Sequence, residues 1–196
     1  MSVRSRKIPL AALAVAAVLL MGACSDNSHT KVTTGTYAGE SGQNAPYLDV
    51  GPLIYEVQLS RQLNPTNSED MSYLRGLTPA QRQLAPGQEW FAVFMQVYNT
   101  SARAHPSASD MTISDTQGNV YAATIPDATN EYAYRPRLVP ASDLIPPVDT
   151  TASFGPTQGS MLLYRIQTVS LDNRPLELKI VDPTNSAQTA SAELDV

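Results

Sequence analysis

Residues 89–99 read EWFAVFMQVYN, the most apolar run beyond residue 23. At the strand period of two, Phe91, Val93, Met95 and Val97 share one face. Trp90, Ala92, Phe94 and Tyr98 share the other. A strand apolar on both faces is central and covered on both sides. The first face is expected to meet a second sheet. The second needs another cover, and the segment just before it, residues 61–86, carries Leu63, Met71, Tyr73, Leu74, Leu77 and Leu84. This insertion is expected to fold back over the aromatic face as a lid.

The flanking sequence repeats the short-strand pattern. In LIYEVQLS (53–60), Leu53, Tyr55, Val57 and Leu59 alternate with Ile54, Glu56, Gln58 and Ser60. DMTISDTQGNVYAAT (110–124) reads as a hairpin turning through Asp115 to Gly118. SMLLYRIQT, LELKIVD and SAELDV give three more strands, and a short one is expected near Arg137–Pro140. Thr78 before Pro79 marks a brief helix in TPAQRQL, an N-cap followed by Pro at the first helical position. Residues 125–158 hold six prolines and are read as irregular. Seven to nine short strands split by turns predict an all-β fold, a β-sandwich spanning residues 47–196 with its insertion at 61–86.

The chain begins differently. Arg4, Arg6 and Lys7 precede an uncharged run over residues 8–23, which is 16 residues long and short of the ~20 that span a bilayer. A charged head, an apolar middle and the small residues Gly22 and Ala23 form a secretory signal, assigned to residues 1–23. Cys24 follows it and is the only cysteine, so no intrachain disulfide is possible. The context resembles the lipobox of bacterial lipoproteins, with Met21 where Leu is usual. That resemblance implies cleavage before Cys24, a diacylglyceryl thioether on its sulfur, and a lipid anchor facing outside the cytoplasm. The plainer reading is an ordinary cleaved signal with an incidental cysteine. Residues 24–46 are polar and aperiodic, and are expected to form a flexible tether.

Without residues 1–23 the chain has 173 residues, with 10 Lys and Arg against 18 Asp and Glu. An acidic domain lacks the basic footprint of a nucleic-acid binder. It gains nothing from anionic headgroups, so a lipid would have to do the anchoring.

Several motifs are similar to a group of immunoglobulin-like domains in exported lipoproteins and antigens of Gram-positive bacteria, actinobacteria included. They are the strand GQEWFAVFMQVYN (Gly87 to Asn99), the turn Asp115 to Gly118, the corner Gly155-Pro156, and Gly159-Ser160-Met161-Leu162. The resemblance covers roughly residues 47–182. It implies an immunoglobulin-like fold and an extracytoplasmic place. It implies no reaction and no functional residue beyond the lipidated cysteine.

The residues give little chemistry. His29 and His105 are the only histidines. His105 lies near Ser107, Ser109 and Asp110, but a working triad is defined across a fold rather than within one loop. No His pair has metal-ligand spacing, and no metal or cofactor is expected. Glu69-Asp70 and Glu131 do not show the facing carboxylates of a glycosidase. Asn99-Thr100-Ser101 matches an N-glycosylation pattern. Tyr132, Tyr134, Arg135 and Arg137 are residue types that favour binding hot spots and form a candidate interaction surface. The plainer reading packs these tyrosines on the sandwich. The expectation is a membrane-anchored, non-catalytic protein that binds a protein or cell-wall partner. The alternative is a small-molecule carrier or accessory lipoprotein of a transport or resistance system, with a pocket lined by Trp90, Phe94 and nearby tyrosines.

Overall fold

The computed structural model describes residues 31–36, 46–155 and 157–194. The signal segment and Cys24 lie outside the described residues. In chain order the strands and helices are β1 (Thr34–Thr36), β2 (Tyr47–Val50), β3 (Leu53–Leu63), α1 (Ser68–Tyr73), α2 (Pro79–Arg82), β4 (Gln88–Tyr98) and β5 (His105–Pro106). They continue with β6 (Asp110–Ser114), β7 (Val120–Thr124), β8 (Leu138–Val139), β9 (Leu144–Ile145), α3 (Thr151–Phe154), β10 (Ser160–Gln167), β11 (Leu176–Val181) and β12 (Thr189–Leu194).

One sheet runs β1-β12-β11-β6-β7, and β7 passes on to β10 of the other, β10-β4-β3-β2. On the far edge, Asp49 N–H donates to Val32 O at 2.7 Å and joins β2 to the segment before β1. The two sheets are thus joined along both edges of a β-sandwich. Between them Phe91, Val93, Met95 and Val97 pack with Leu176, Leu178, Ile180, Ala192 and Leu194. Alternation in each strand puts these side chains on the inner face, and burying each large one contributes about 1.5–3 kcal/mol.

Strand β4 is central, as its two apolar faces predict: β3 lies on one side, β10 and β9 on the other. Its outer face forms a second cluster. Trp90, Ala92 and Phe94 pack with Leu63, Tyr73, Leu74 and Leu77, joined by Met161 and Leu163 of β10. The insertion therefore covers the aromatic face at Trp90 and Phe94 but leaves Tyr98 half-buried beyond it, and its extent needs two corrections. It starts after Leu63, because Arg61 to Leu63 still belong to β3. Met71 contributes nothing to the cover and is exposed.

A third correction concerns β3. Its register against β4 shifts between Val57 and Leu59, a β-bulge. The extra residue inverts the alternation. Val57 points into the inter-sheet core, whereas Leu59 packs on the outer cluster. The bulge thereby turns the end of β3 toward the lid.

The lid is clasped by short polar contacts. Asn67 caps α1 by accepting from Glu69 N–H at 2.8 Å. Thr78 and Gln81 form a reciprocal capping box on α2. The buried Asp70 accepts from Arg61 Nη2 at 2.6 Å and from Asn64 N–H at 2.7 Å. The Arg61 guanidinium sits 5.7 Å from the Tyr73 ring centroid.

Order also begins earlier than Tyr47. Thr34–Thr36, inside the stretch expected as a tether, pairs in parallel with β12. Pairing of this kind uses main-chain groups, so polar residues do it without an apolar pattern to betray them.

The hairpin turn at Asp115 is held by its own side chain. Asp115 Oδ1 accepts from the backbone N–H of Gln117 and Asn119, at 3.0 and 2.9 Å. Oδ2 accepts from Asn119 Nδ2 and Ser170 Oγ, at 2.8 and 2.7 Å. Gly118 has φ of +85°, which glycine adopts without a side-chain clash. Burial works against the Asp115 carboxylate, but the hydrogen bonds from Asn119, Ser170 and Gln117 outweigh it and hold its pKa well below the usual range. A depressed folded pKa stabilises above the unfolded value and is lost as pH falls through the folded one. Wild-type protein should therefore lose melting temperature from about pH 4 downward. Asp115→Asn should be less stable at pH 7 and should show a shallower acid loss in melts followed from pH 7 to 2.

Candidate functional site

The segment YAYRPRL does not form one exposed surface. Its backbone lies beside β10: Tyr134 N–H donates to Met161 O at 2.8 Å, and Met161 N–H donates to Tyr132 O at 2.7 Å. Tyr134 is buried in the inter-sheet core and its hydroxyl donates to Ala108 O at 2.8 Å. Ala108 N–H donates to the Tyr55 hydroxyl at 2.7 Å. Burial pushes the Tyr55 hydroxyl up to about 12 and that of Tyr134 well above its ordinary value. Tyr132 meets Tyr73 edge to face, with centroids 4.8 Å apart. Arg135 donates to Pro126 O at 3.2 Å and to Asp127 O. Arg137 Nη2 donates to Leu144 O at 2.8 Å and to Asp143 Oδ2 at 3.3 Å. The tyrosines are packing elements and the arginines brace loops.

Asn130 ties this segment to the lid. Its Nδ2 donates to Tyr73 O and Arg75 O, at 2.8 and 2.9 Å, and its Oδ1 accepts from the N–H groups of Tyr132 and Ala133. A buried amide with its hydrogen bonds made leaves partners stranded when it is removed. Asn130→Ala should cost about 2–3 kcal/mol in chemical denaturation, since each stranded buried group costs about 1–3.

The remaining sequence candidates are also spent on structure. Asn99 is buried and its Nδ2 donates to the carbonyls of Arg103, Val139 and Pro140, so it is closed to glycosylation. Ser107 Oγ accepts from Arg137 N–H at 3.0 Å, while His105 sits in β5. Glu131 accepts from Thr151 Oγ1 at 2.7 Å. Among the described residues, no three His, Cys, Asp or Glu side chains come together as metal ligands.

What stays open is the other end of the outer face of β4. Tyr98, the last of the aromatic stripe, lies beyond the lid cluster and is half-buried. Its hydroxyl donates to Glu56 Oε2 at 2.7 Å and also meets the Gln96 side-chain oxygen. Tyr47, which pairs opposite Glu56, is 57% exposed, and its ring lies 6.5 Å from that of Tyr98 at 51°. Burial, then the Glu56 carboxylate, pushes the Tyr98 hydroxyl far above its ordinary pKa. The charge of Glu56 raises Tyr47 first of all. The two hydroxyls are therefore protonated near pH 7 and serve as donors. The result is a patch in which the exposed Tyr47 and the half-buried Tyr98 and Gln96 surround the buried Glu56 carboxylate. It offers ring surface and hydrogen-bonding groups, as recognition requires. The sequence signal was the stripe itself. The split between its covered and open parts depends on where the lid ends.

No family model matches the chain, and no curated protein matches it. Among solved structures it is similar to the yjhA protein of Bacillus subtilis, at 8% identity and a TM-score of 0.50, over 76% of this chain and 97% of that one. It is also similar to an uncharacterized β-sandwich protein of Clostridium difficile, at 9% identity and a TM-score of 0.45, over 87% and 100%. A functionally unknown protein of Listeria monocytogenes is similar at 10% identity and a TM-score of 0.47, over 78% and 82%. The fold defines a β-sandwich protein, with neighbours in Gram-positive bacteria. The likeness is one of fold.

Proposed function

We propose that this is an exported lipoprotein, anchored outside the cytoplasm through Cys24, whose immunoglobulin-like sandwich binds a protein or cell-envelope partner without catalysis. The patch of Tyr47, Glu56, Gln96 and Tyr98 carries the binding part of this reading. It lies on the β4 outer face beyond the lid cluster, and it holds a residue type enriched at hot spots. The signal layout of residues 4–24 supports the anchor. A carrier would need a chamber lined by Trp90 and Phe94, and both are packed against the lid instead.

The test is photo-crosslinking in the native membranes, with a photoreactive side chain at position 47 and, separately, at the exposed Val120 on the other sheet. A discrete adduct from position 47, absent from position 120 and lost in Glu56→Ala, supports the reading. An adduct from position 120 alone, or the same products from both positions, contradicts it.

A further inference from the structure

The closed end of the β4 outer face holds an arrangement that the open end repeats with one member missing. Under the lid, the Arg61 guanidinium sits over the Tyr73 ring while its Nη2 donates to the buried Asp70. Ring, guanidinium and carboxylate there all come from this chain. At the open end Glu56 takes the place of Asp70, and it is 6% exposed against 5%. The rings of Tyr47 and Tyr98, inclined at 51° to one another, take the place of the Tyr73 ring. Among the described residues, no guanidinium or ammonium completes the set: the ion pairs are Arg61 with Asp70 and Arg137 with Asp143, and the cations over rings are Arg61 and Arg165.

Strand register accounts for the missing base. Glu56 lies between Tyr47 of β2 and Gln96 of β4. In the next row of the same face, Asp49, Ile54, Tyr98 and Leu144 stand side by side. Neither row contains Lys or Arg, and Asp49 adds a second carboxylate. Bases close by in the fold are engaged elsewhere: Lys31 Nζ donates to Gly51 O at 3.1 Å, and Arg137 is held by Asp143 and Leu144 O. The Glu56 carboxylate accepts from the Tyr98 hydroxyl, a hydrogen bond that brings no opposite charge. A buried carboxylate is costly until it is paired, so this one favours a cation brought from outside.

We propose that Tyr47, Tyr98 and Glu56 receive a basic side chain, arginine in preference to lysine, from a partner protein. This deepens the binding role proposed above and rests on it. The exposed Tyr47 ring offers a face for a cation, and the carboxylate below adds its charge. A planar guanidinium stacks on such a ring and keeps its fork of N–H donors for oxygen acceptors, whereas an ammonium is a compact, strongly hydrated charge. The excess of 18 Asp and Glu over 13 Lys and Arg draws basic partners toward the chain. The same excess gives anionic headgroups no attraction, which favours a protein over a membrane surface.

Full-length protein with isotope-labelled tyrosine rings is titrated, by nuclear magnetic resonance, with Nα-acetylarginine amide and with its citrulline analogue, which keeps the shape and loses the charge. The arginine amide should shift the ring signals of Tyr47 and Tyr98 saturably and leave those of the buried Tyr55 and Tyr164 in place. The lysine amide should bind more weakly. The dissociation constant of the arginine amide should rise about two- to fivefold in Tyr47→Leu, the loss of one exposed cation–ring contact, and at least as much in Glu56→Gln. Tyr47→Leu changes an exposed position and keeps the test decisive should Glu56→Gln fail to fold. No saturable shift, citrulline binding equal to arginine binding, or full binding by a folded Glu56→Gln overturns cation recognition. Tighter binding of glycerophosphocholine than of the arginine amide assigns the site to a lipid headgroup and overturns the protein partner. Each of these results leaves standing the binding face itself, which the adduct from position 47 tests independently.

Discussion

Phe94→Ala is expected to cost about 3–5 kcal/mol, the range for deleting a fully enclosed aromatic ring. Phe94 has no exposed surface, and its ring meets Tyr73 of the lid edge to face at 5.0 Å. The truncation removes transfer energy and leaves a cavity between two elements that cannot both collapse into it. Trp90 lies under the same cover with Leu63, Leu74 and Leu77. The melting temperature should fall by roughly 6–20 °C, at about 2–4 °C per kcal/mol for a domain of this size. The denaturant midpoint should fall with its slope unchanged. Tyr47→Ala, at the open end, should cost less than about 1 kcal/mol, since it removes little buried surface. Equal losses at both positions would mean that the lid does not close over Phe94.

Cys24→Ala should have the largest effect of all on location. A diacylglyceryl group contributes ~0.8 kcal/mol per buried CH₂ over two chains, which makes anchoring stable where one chain is marginal. The wild-type protein should partition into detergent. The variant should enter the aqueous phase or remain an uncut precursor. Mass spectrometry of the mature N-terminus decides the point: a free Ser25 or an unmodified Cys24 at the start of the chain contradicts the lipid anchor.

Periodicity made much of the sandwich legible. The alternation in EWFAVFMQVYN placed Phe91, Val93, Met95 and Val97 inward, and the leucines of the insertion announced the lid over Trp90 and Phe94. What stayed hidden is what side-chain pattern does not encode. The bulge at Gln58 moved Leu59 to the face opposite Val57 with no change in local composition. The pairing of β1 with β12 is built on main-chain bonds, and Thr34–Thr36 reads as polar linker. α1 has a start signal in Asn67, Glu69 and Asp70, an N-cap followed by acidic residues in the first turn, but its six residues are too few to show a helical period. The residues of YAYRPRL looked like a binding surface because their types suit one. Their use was decided by carbonyls outside the segment, those of Ala108, Asp127 and Leu144. Conversely, Tyr47 and Glu56 raised no expectation of a site, since only the pairing of β2 with β3 sets them beside Tyr98.

The central claim is that the outer face of β4 is divided, closed by the lid at Trp90 and Phe94 and open at Tyr98 and Tyr47. Hydroxyl-radical footprinting of the intact protein, read residue by residue by mass spectrometry, tests this most directly. Tyr47 should oxidise fastest and Tyr98 measurably, while Trp90, Phe94 and Tyr73 stay protected until the protein unfolds. Oxidation of Trp90 and Tyr73 at the rate of Tyr47 under native conditions would contradict the division of the face.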